Sequence, residues 1–110
     1  MTSVFKNVLS ESIGTTPTTV LSTNAAATTT VIGLSLTNTT ADGITVSILL
    51  NDTIADTSAY YIKNVPVPSN QSLRVVTGGE KLIMGPSTNV IVSANTDSSI
   101  DLVMSWVEIS

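Results

Sequence analysis

The sequence predicts an all-β protein: an antiparallel β-sandwich or jelly-roll-like barrel of about eight strands, with residues 1–110 forming a single domain. Three observations predict this fold. The 13 Val, 10 Ile and 18 Thr residues favour strands, because a branched Cβ packs well on a pleated surface and loses freedom in a helix. Several segments alternate apolar and polar residues with a period of two. Short apolar runs also recur about every ten residues, with turn-forming residues between them.

The first third of the chain contains three predicted extended segments. Val4 to Leu9 is consistent with either a strand or a short helix, whereas Thr18 to Ser22 is a strand set off by Pro17. The run from Ile32 to Leu36 alternates apolar with small or polar residues. It therefore predicts a half-buried strand, with Ile32 on the face directed toward the core.

The middle of the chain repeats this alternation from Ile44 to Leu50. The polar segment Asn38 to Gly43, which ends in Asp-Gly, connects it to the preceding strand. This arrangement predicts a hairpin between the two strands. Another strand is expected from Ala59 to Val65, after a polar surface loop.

Prolines and glycines interrupt the strands predicted in the next segment, residues 66–84. Pro66 and Pro68 lack a backbone donor, so the chain around them should be an edge strand or a crossover between sheets. Leu73 to Val76 and Lys81 to Met84 flank Gly78-Gly79. This pattern predicts a strand, a tight turn and a second strand.

The last third predicts two strands. The first runs from Asn89 to Ala94, and the second begins at Ile100. In the second strand Val103 and Val107 are apolar although they alternate with the core-facing positions, so we expect this strand to be central or covered on both faces. Trp106 shares the phase of the core-facing residues, which favours a core position over a ligand platform.

The charge balance excludes several classes of function. Four basic and eight acidic residues give a net charge of −4, and the basic residues are too scattered to neutralise phosphates, so we predict no nucleic-acid partner. No signal-like start and no apolar run of membrane-spanning length is present, which predicts synthesis in the cytoplasm without membrane insertion. The chain has no Cys, so it must fold without disulfides or thiolate-bound zinc.

The chain has few residues of the types that catalysis and metal binding require. Because the chain has no His and no Cys, the common catalytic pairs of a nucleophile and a base are excluded, as are most zinc sites. The pairs Asp52/Asp56 and Asp97/Asp101 lack the spacing of a calcium loop and are interpreted as turn-forming acids. A glycosidase-like acid pair depends on distances in space, which spacing along the chain does not fix. We therefore predict no catalytic residue, no metal site, no cofactor and no enzymatic activity.

Four residues around the proline segment are the candidate interface or ligand contacts: Tyr60, Tyr61, Pro66 and Pro68. Tyrosines are enriched at contact hot spots and at sugar-stacking faces. Adjacent residues on a strand point to opposite faces, so one tyrosine should pack into the core and the other should be exposed.

Five segments resemble small virion structural proteins of tailed bacteriophages, and they are spread over most of the chain. They are FKNV at 5–8, TVIGL at 30–34, YIKNVPVPS at 61–69, GGEKL at 78–82 and LVMSWVEI at 102–109. Proteins of this kind are small β-rich particle components. The resemblance implies a role in assembly and carries over no active site.

The function expected from this resemblance is structural. The protein would be a virion component that forms a homo-oligomer, for which a trimer is one candidate, and that binds other virion proteins such as capsid or tail components. A low content of charged residues suits a surface that packs against copies of itself. Two alternatives remain open: a receptor- or glycan-binding module on the virion surface, and a small carboxylate-dependent hydrolase.

Overall fold

A computed structural model describes residues 2–76 and 81–110 of the chain. These residues form β-strands joined by turns and loops, with no helix among them. The strands are β1 (Ser3–Ile13), β2 (Thr18–Ser22), β3 (Thr28–Asn38), β4 (Ile44–Asp52), β5 (Thr57–Val67), β6 (Ser72–Val76), β7 (Leu82–Met84), β8 (Thr88–Ala94) and β9 (Ile100–Ile109).

The strands form two antiparallel sheets that pack as a β-sandwich. Sheet A has the order β1-β9-β3-β6, and β7 also pairs with β3; sheet B has the order β2-β8-β4-β5. Because β6 and β7 lie along the same edge of β3, they act as one interrupted strand. Counted in this way, each sheet has four strands and the chain crosses repeatedly between the sheets, which is the jelly-roll arrangement. The predicted fold class is confirmed.

The core lies between the two sheets and consists of alternate residues from their inner faces. Val31, Val46, Ile48, Val92 and Ile100 have no exposed surface, and Leu102 and Met104 are buried beside them. Trp106 is 7% exposed and belongs to the same cluster. Its predicted core position is therefore confirmed.

Ile32 does not face the core as predicted. The register between β3 and β9 shifts between Val31 and Gly33, so an extra residue is inserted at this point as in a β-bulge. The bulge leaves Val31 fully buried and turns Ile32 outward, where it is 36% exposed. Period-two reasoning cannot anticipate such a shift, because both residues are apolar.

The predicted hairpin between β3 and β4 is wrong, because these strands lie in different sheets. Their connection is organised by Asn38, which is fully buried. The Asn38 amide donates to the carbonyl oxygens of Asp42 (2.8 Å) and Val67 (3.0 Å), and its oxygen accepts from the Thr40 backbone (2.9 Å). This network stabilises the connection by which the chain passes from sheet A to sheet B. Two strands with apolar inner faces can pack face to face as readily as they can pair side by side.

The strand-turn-strand prediction around Gly78-Gly79 also needs correction. Ser72–Val76 and Leu82–Met84 both run antiparallel to β3, so they point in the same direction and cannot form a hairpin with each other. The predicted turn itself lies outside the described residues. The sequence shows two short apolar segments, but only the sheet order reveals that they share a partner.

The remaining strand predictions agree with the structure. The segment from Val4 to Leu9 is a strand and not a helix, and it belongs to β1. The predicted strand after Pro17 coincides with β2. Pro66 lies in β5, which is an edge strand of sheet B, and β9 is central between β1 and β3.

Candidate assembly surface

The four predicted contact residues lie on or directly after edge strand β5. Tyr60 is 53% exposed, and the Lys63 ammonium lies 4.9 Å from its ring centroid. Tyr61 points the other way and packs against the core, so the expected division between the two tyrosines is confirmed. Pro66 is exposed in β5, and Pro68 is exposed immediately after it. The role of these four residues as contacts stays a prediction.

The acids that the sequence interprets as turn-forming do not gather into a site. The Asp52 carboxylate accepts from the backbone of Ile54 at 3.0 Å, as expected of a turn-forming acid. The interpretation of Asp101 as a turn-forming acid is wrong, because Asp101 lies in β9 and its carboxylate accepts from the distant Ser12 backbone at 3.1 Å. The Asp97 carboxylate likewise accepts from a distant residue, through the Thr15 hydroxyl at 2.8 Å. Within residues 2–76 and 81–110, no three acidic side chains come together as a metal site would require.

The most distinctive surface is the outer face of sheet A, which the sequence did not single out. It carries an apolar patch made of Phe5, Leu9, Ile32, Ile83 and Val103. Phe5, Leu9 and Ile83 are 76%, 70% and 68% exposed, and Val103 is 48% exposed. Soluble proteins seldom leave several large apolar side chains together in water, so a patch of this kind marks a contact surface.

The strand registers bring the patch together from four strands. Leu9 of β1 lies opposite Val103 of β9. Two rows further along the same face, beyond the row of Asn7 and Ser105, Phe5 lies opposite Val107, which in turn lies opposite Thr30 and then Ile83 of β7. The apolar side chains therefore run in rows across the sheet.

Shallow depressions lie between these rows. One is lined by Ile32, Gly33, Ser35, Arg74, Val103 and Ser105. Gly33 contributes no side chain there, and a Cβ at this position would meet no atom within 4 Å. A second depression is lined by Phe5, Asn7, Ile32 and Ser105. The surface is therefore indented, which allows side chains of a partner to interlock with it.

Charges lie at the margins of this face. Arg74 is exposed on β6 at one edge. Glu11 and Asp101 are exposed at one end, where they line a depression with Leu9 and Val103. An apolar centre with a charged margin is the usual anatomy of a protein interface.

Sequence reasoning missed this surface because, apart from the last strand, it assigned each strand only an inner face. One signal was present in β9, where Val103 and Val107 are apolar although they alternate with the core positions. A second was present in β1, where Phe5 and Leu9 share one face. Only the sheet order places these strands side by side, and only the bulge in β3 adds Ile32.

The fold and this face define the protein as a jelly-roll domain with an apolar patch on the outer face of sheet A. No protein-family model matches the chain, and no curated protein matches its sequence. Among the residues that the structure describes, no helix is long and apolar enough to cross a membrane.

Solved structures that share the fold include a pilus subunit and viral particle proteins. A subunit of the Bacillus endospore appendages, described as a novel family of disulfide-linked pili, aligns over 99% of this chain and 88% of its own, with 12% identity and a TM-score of 0.61. A chain of the IBDV viral particle aligns over 97% of this chain and 31% of its own, with 12% identity and a TM-score of 0.62. A chain of the VP2 subviral particle of infectious bursal disease virus aligns over 97% of this chain and 32% of its own, with 11% identity and a TM-score of 0.58. This chain therefore spans about a third of the length of the two viral proteins.

Proposed function

We propose that the protein is a structural component of a tailed-phage virion, where it acts by assembly on the particle as a head decoration or as a tail or neck accessory, and that it is not an enzyme. The observation that carries this proposal is the apolar patch on the outer face of sheet A. Burying apolar surface is the main favourable term in protein association. A partner that covers this patch removes Phe5, Leu9, Ile83 and Val103 from water.

The size of the face suits this role. Four strands about 4.8 Å apart, each contributing about seven residues of about 3.4 Å, give a face of about 450 Å². Specific interfaces bury at least about 1,000 Å² in total, or about 500 Å² on each partner. One covered face falls just short of this minimum, so a single contact is weak, and a particle with many equivalent positions multiplies its effect.

The fold neighbours support the proposal, because they belong to viral particles and to a surface appendage. The resemblance of five segments to small virion proteins of tailed phages supports the phage assignment. The appendage neighbour is described as disulfide-linked, whereas this chain has no Cys. Its contacts with other virion proteins and with its own copies therefore do not use disulfides.

The test is binding to particles that lack the protein. The purified chain should co-sediment with such particles and saturate at a fixed ratio. Val103→Lys places a charge in the patch, opposite Leu9, at a position already 48% exposed, so it should leave the fold intact and abolish binding. Ile54→Lys is the matched control, since Ile54 is 72% exposed in the loop between β4 and β5, outside the patch. Equal binding by both variants would overturn the assignment of the patch, and no binding by the unaltered chain would overturn the function.

A receptor- or glycan-binding module is the second candidate, and the exposed Tyr60 ring is the observation that favours it. Aromatic rings stack on sugars through their faces. Because the Lys63 ammonium lies over the ring, the opposite face is the one offered to a ligand. A glycan array with the unaltered chain and with Tyr60→Ala tests this candidate: hits that disappear in the variant would support it, and an array without hits would exclude those glycans.

A further inference from the structure

The outermost strand of sheet A, β1, presents a long and regular edge. Eight consecutive residues, Ser3 to Ser10, pair with β9 without a register shift. This segment contains no proline and a single charged residue, Lys6. Proteins normally protect such edges, because their unpaired backbone groups act as a template for another strand.

The other sheet edges are protected in the described part of the chain. β2 has only five residues and a register shift in its pairing with β8. β5 contains Pro66, two register shifts in its pairing with β4, and Asn64 with a positive φ of 51°. β6 and β7 are five and three residues long. The contrast makes β1 the edge most open to a further strand.

The hydrogen bonds at the end of β1 fix which of its backbone groups face outward. Thr2 and Ser110 exchange both of their backbone hydrogen bonds, at 2.8 and 3.0 Å. In an antiparallel ladder such pairs alternate with pairs that exchange none. The even-numbered residues of β1 therefore bond to β9, whereas Phe5, Asn7 and Leu9 direct their N–H and C=O groups away from it.

Two of these three residues, Phe5 and Leu9, also have exposed side chains. Phe5 and Leu9 point to the outer face of sheet A and are 76% and 70% exposed. Each lies two residues from Asn7, Phe5 before it and Leu9 after it. An antiparallel strand of the same sequence, centred on Asn7, would place each Phe5 opposite Leu9 of the second copy. Apolar cross-strand pairs stabilise such a register.

We propose that β1 pairs antiparallel with β1 of a second copy about a two-fold axis at Asn7, so that two A sheets become one continuous sheet. Over residues 5–9 this pairing forms about six backbone hydrogen bonds. It joins the apolar patches of the two copies into one surface of about 900 Å² at the strand spacings used above. The occupant of the edge is thus a second copy of this chain, because the edge is complementary to itself.

Lys6 does not block this pairing, although lysine commonly protects an edge. Its ammonium lies 2.7 Å from the Glu108 carboxylate of the neighbouring strand β9. Its side chain therefore belongs to the opposite face of the sheet from Phe5 and Leu9, and its charge is already paired. In the proposed register it lies opposite Val8 of the second copy, so the two lysines do not face each other.

The inference deepens the proposed function, on which its biological meaning rests: the β1 edge joins two copies, and the apolar patch then binds the particle. A two-fold pair is isologous and closes on itself. It predicts dimers as the building unit in place of the trimer considered from the sequence.

Single cysteine variants test the register, because the chain has no Cys of its own. Asn7→Cys places two thiols on directly opposed residues with Cα atoms about 5.5 Å apart, within disulfide reach. Leu9→Cys is the matched control, since its two copies lie four residues apart, or about 13 Å. We expect oxidation to give a disulfide dimer of Asn7→Cys at least tenfold faster than of Leu9→Cys. A mixture of Phe5→Cys and Leu9→Cys should form the mixed dimer in preference to either homodimer. Equal rates for Asn7→Cys and Leu9→Cys would overturn the pairing.

A proline variant tests the backbone contact. Asn7→Pro removes a donor that points outward and leaves the bonds to β9 in place, which is the position in an edge strand where proline is tolerated. It should weaken dimerisation about 100-fold in light scattering, since two reciprocal hydrogen bonds are lost. Asn7→Thr, which keeps the donor, should dimerise like the unaltered chain.

Particle binding separates failure of the pairing from failure of the function. If the unaltered chain is monomeric but still binds particles, the pairing is wrong and the virion role stands. If it dimerises as predicted but ignores particles, the pairing stands and the virion role is wrong.

Discussion

Thr29→Val should make the protein more stable, although it removes a polar group from a polar-rich chain. Thr29 lies in β3 with no exposed surface, and its hydroxyl has no hydrogen-bond partner among the described residues. A buried polar group without a partner costs about 1–3 kcal/mol, and a buried methyl group contributes about 0.8 kcal/mol. Valine keeps the branched Cβ that favours the strand. Allowing for imperfect fit of the methyl group, we expect the free energy of unfolding to rise by about 1–2 kcal/mol, with a midpoint roughly 4–8 °C higher for each kcal/mol.

Thr23→Val is the control for this substitution, because Thr23 is also buried but its hydroxyl is fully used. It donates to the Gly85 carbonyl and accepts from the Thr88 backbone, both at 2.8 Å. Removing this hydroxyl leaves the Thr88 donor unpaired and should lower the free energy of unfolding by about 1–3 kcal/mol. Urea unfolding at one protein concentration measures both variants, and their m-values should match that of the unaltered chain. A Thr29→Val protein no more stable than the unaltered one would show that the buried Thr29 hydroxyl does not destabilise the fold.

Three further substitutions test the loops and the contact residues. Gly14→Ala should lower the free energy of unfolding by about 1–3 kcal/mol, because its Cβ would lie 2.9 Å from the Ser98 backbone nitrogen; Gly33→Ala, where the Cβ meets nothing within 4 Å, should show no such loss in the same urea titration. Asn38→Ala should cost about 2–4 kcal/mol, because it breaks the buried network of the β3–β4 crossover, and thermal unfolding that matches the unaltered chain would contradict this. Tyr60→Ala should leave particle binding unchanged if the apolar patch is the contact surface, and a loss of co-sedimentation would move the contact to β5.

Much of the fold could be predicted because each strand carries its own signal. The alternation in Ile44 to Leu50 and in Ile100 to Trp106 marks strands whose inner residues are indeed buried. Pro17 and Pro66 mark the start of a strand and an edge, because proline withdraws a donor. These features depend on local geometry, which the sequence contains.

Pairing between strands could not be predicted, because it depends on contacts distant in sequence. Thr30 lies between Val107 and Ile83 in the sheet, and no local pattern relates the three. The crossover at Asn38 resembles a hairpin loop in composition, and only its buried hydrogen bonds distinguish it. The candidate surface was missed for the same reason, since it is assembled from four strands.

Cryo-electron microscopy maps of particles with and without the protein give the decisive test of the structural role. If the protein is a virion component, the maps will differ by additional density at regularly repeated positions, with the outer face of sheet A covered by a neighbouring subunit. Identical maps, from a preparation in which the chain is present and folded, would contradict a structural role on the particle.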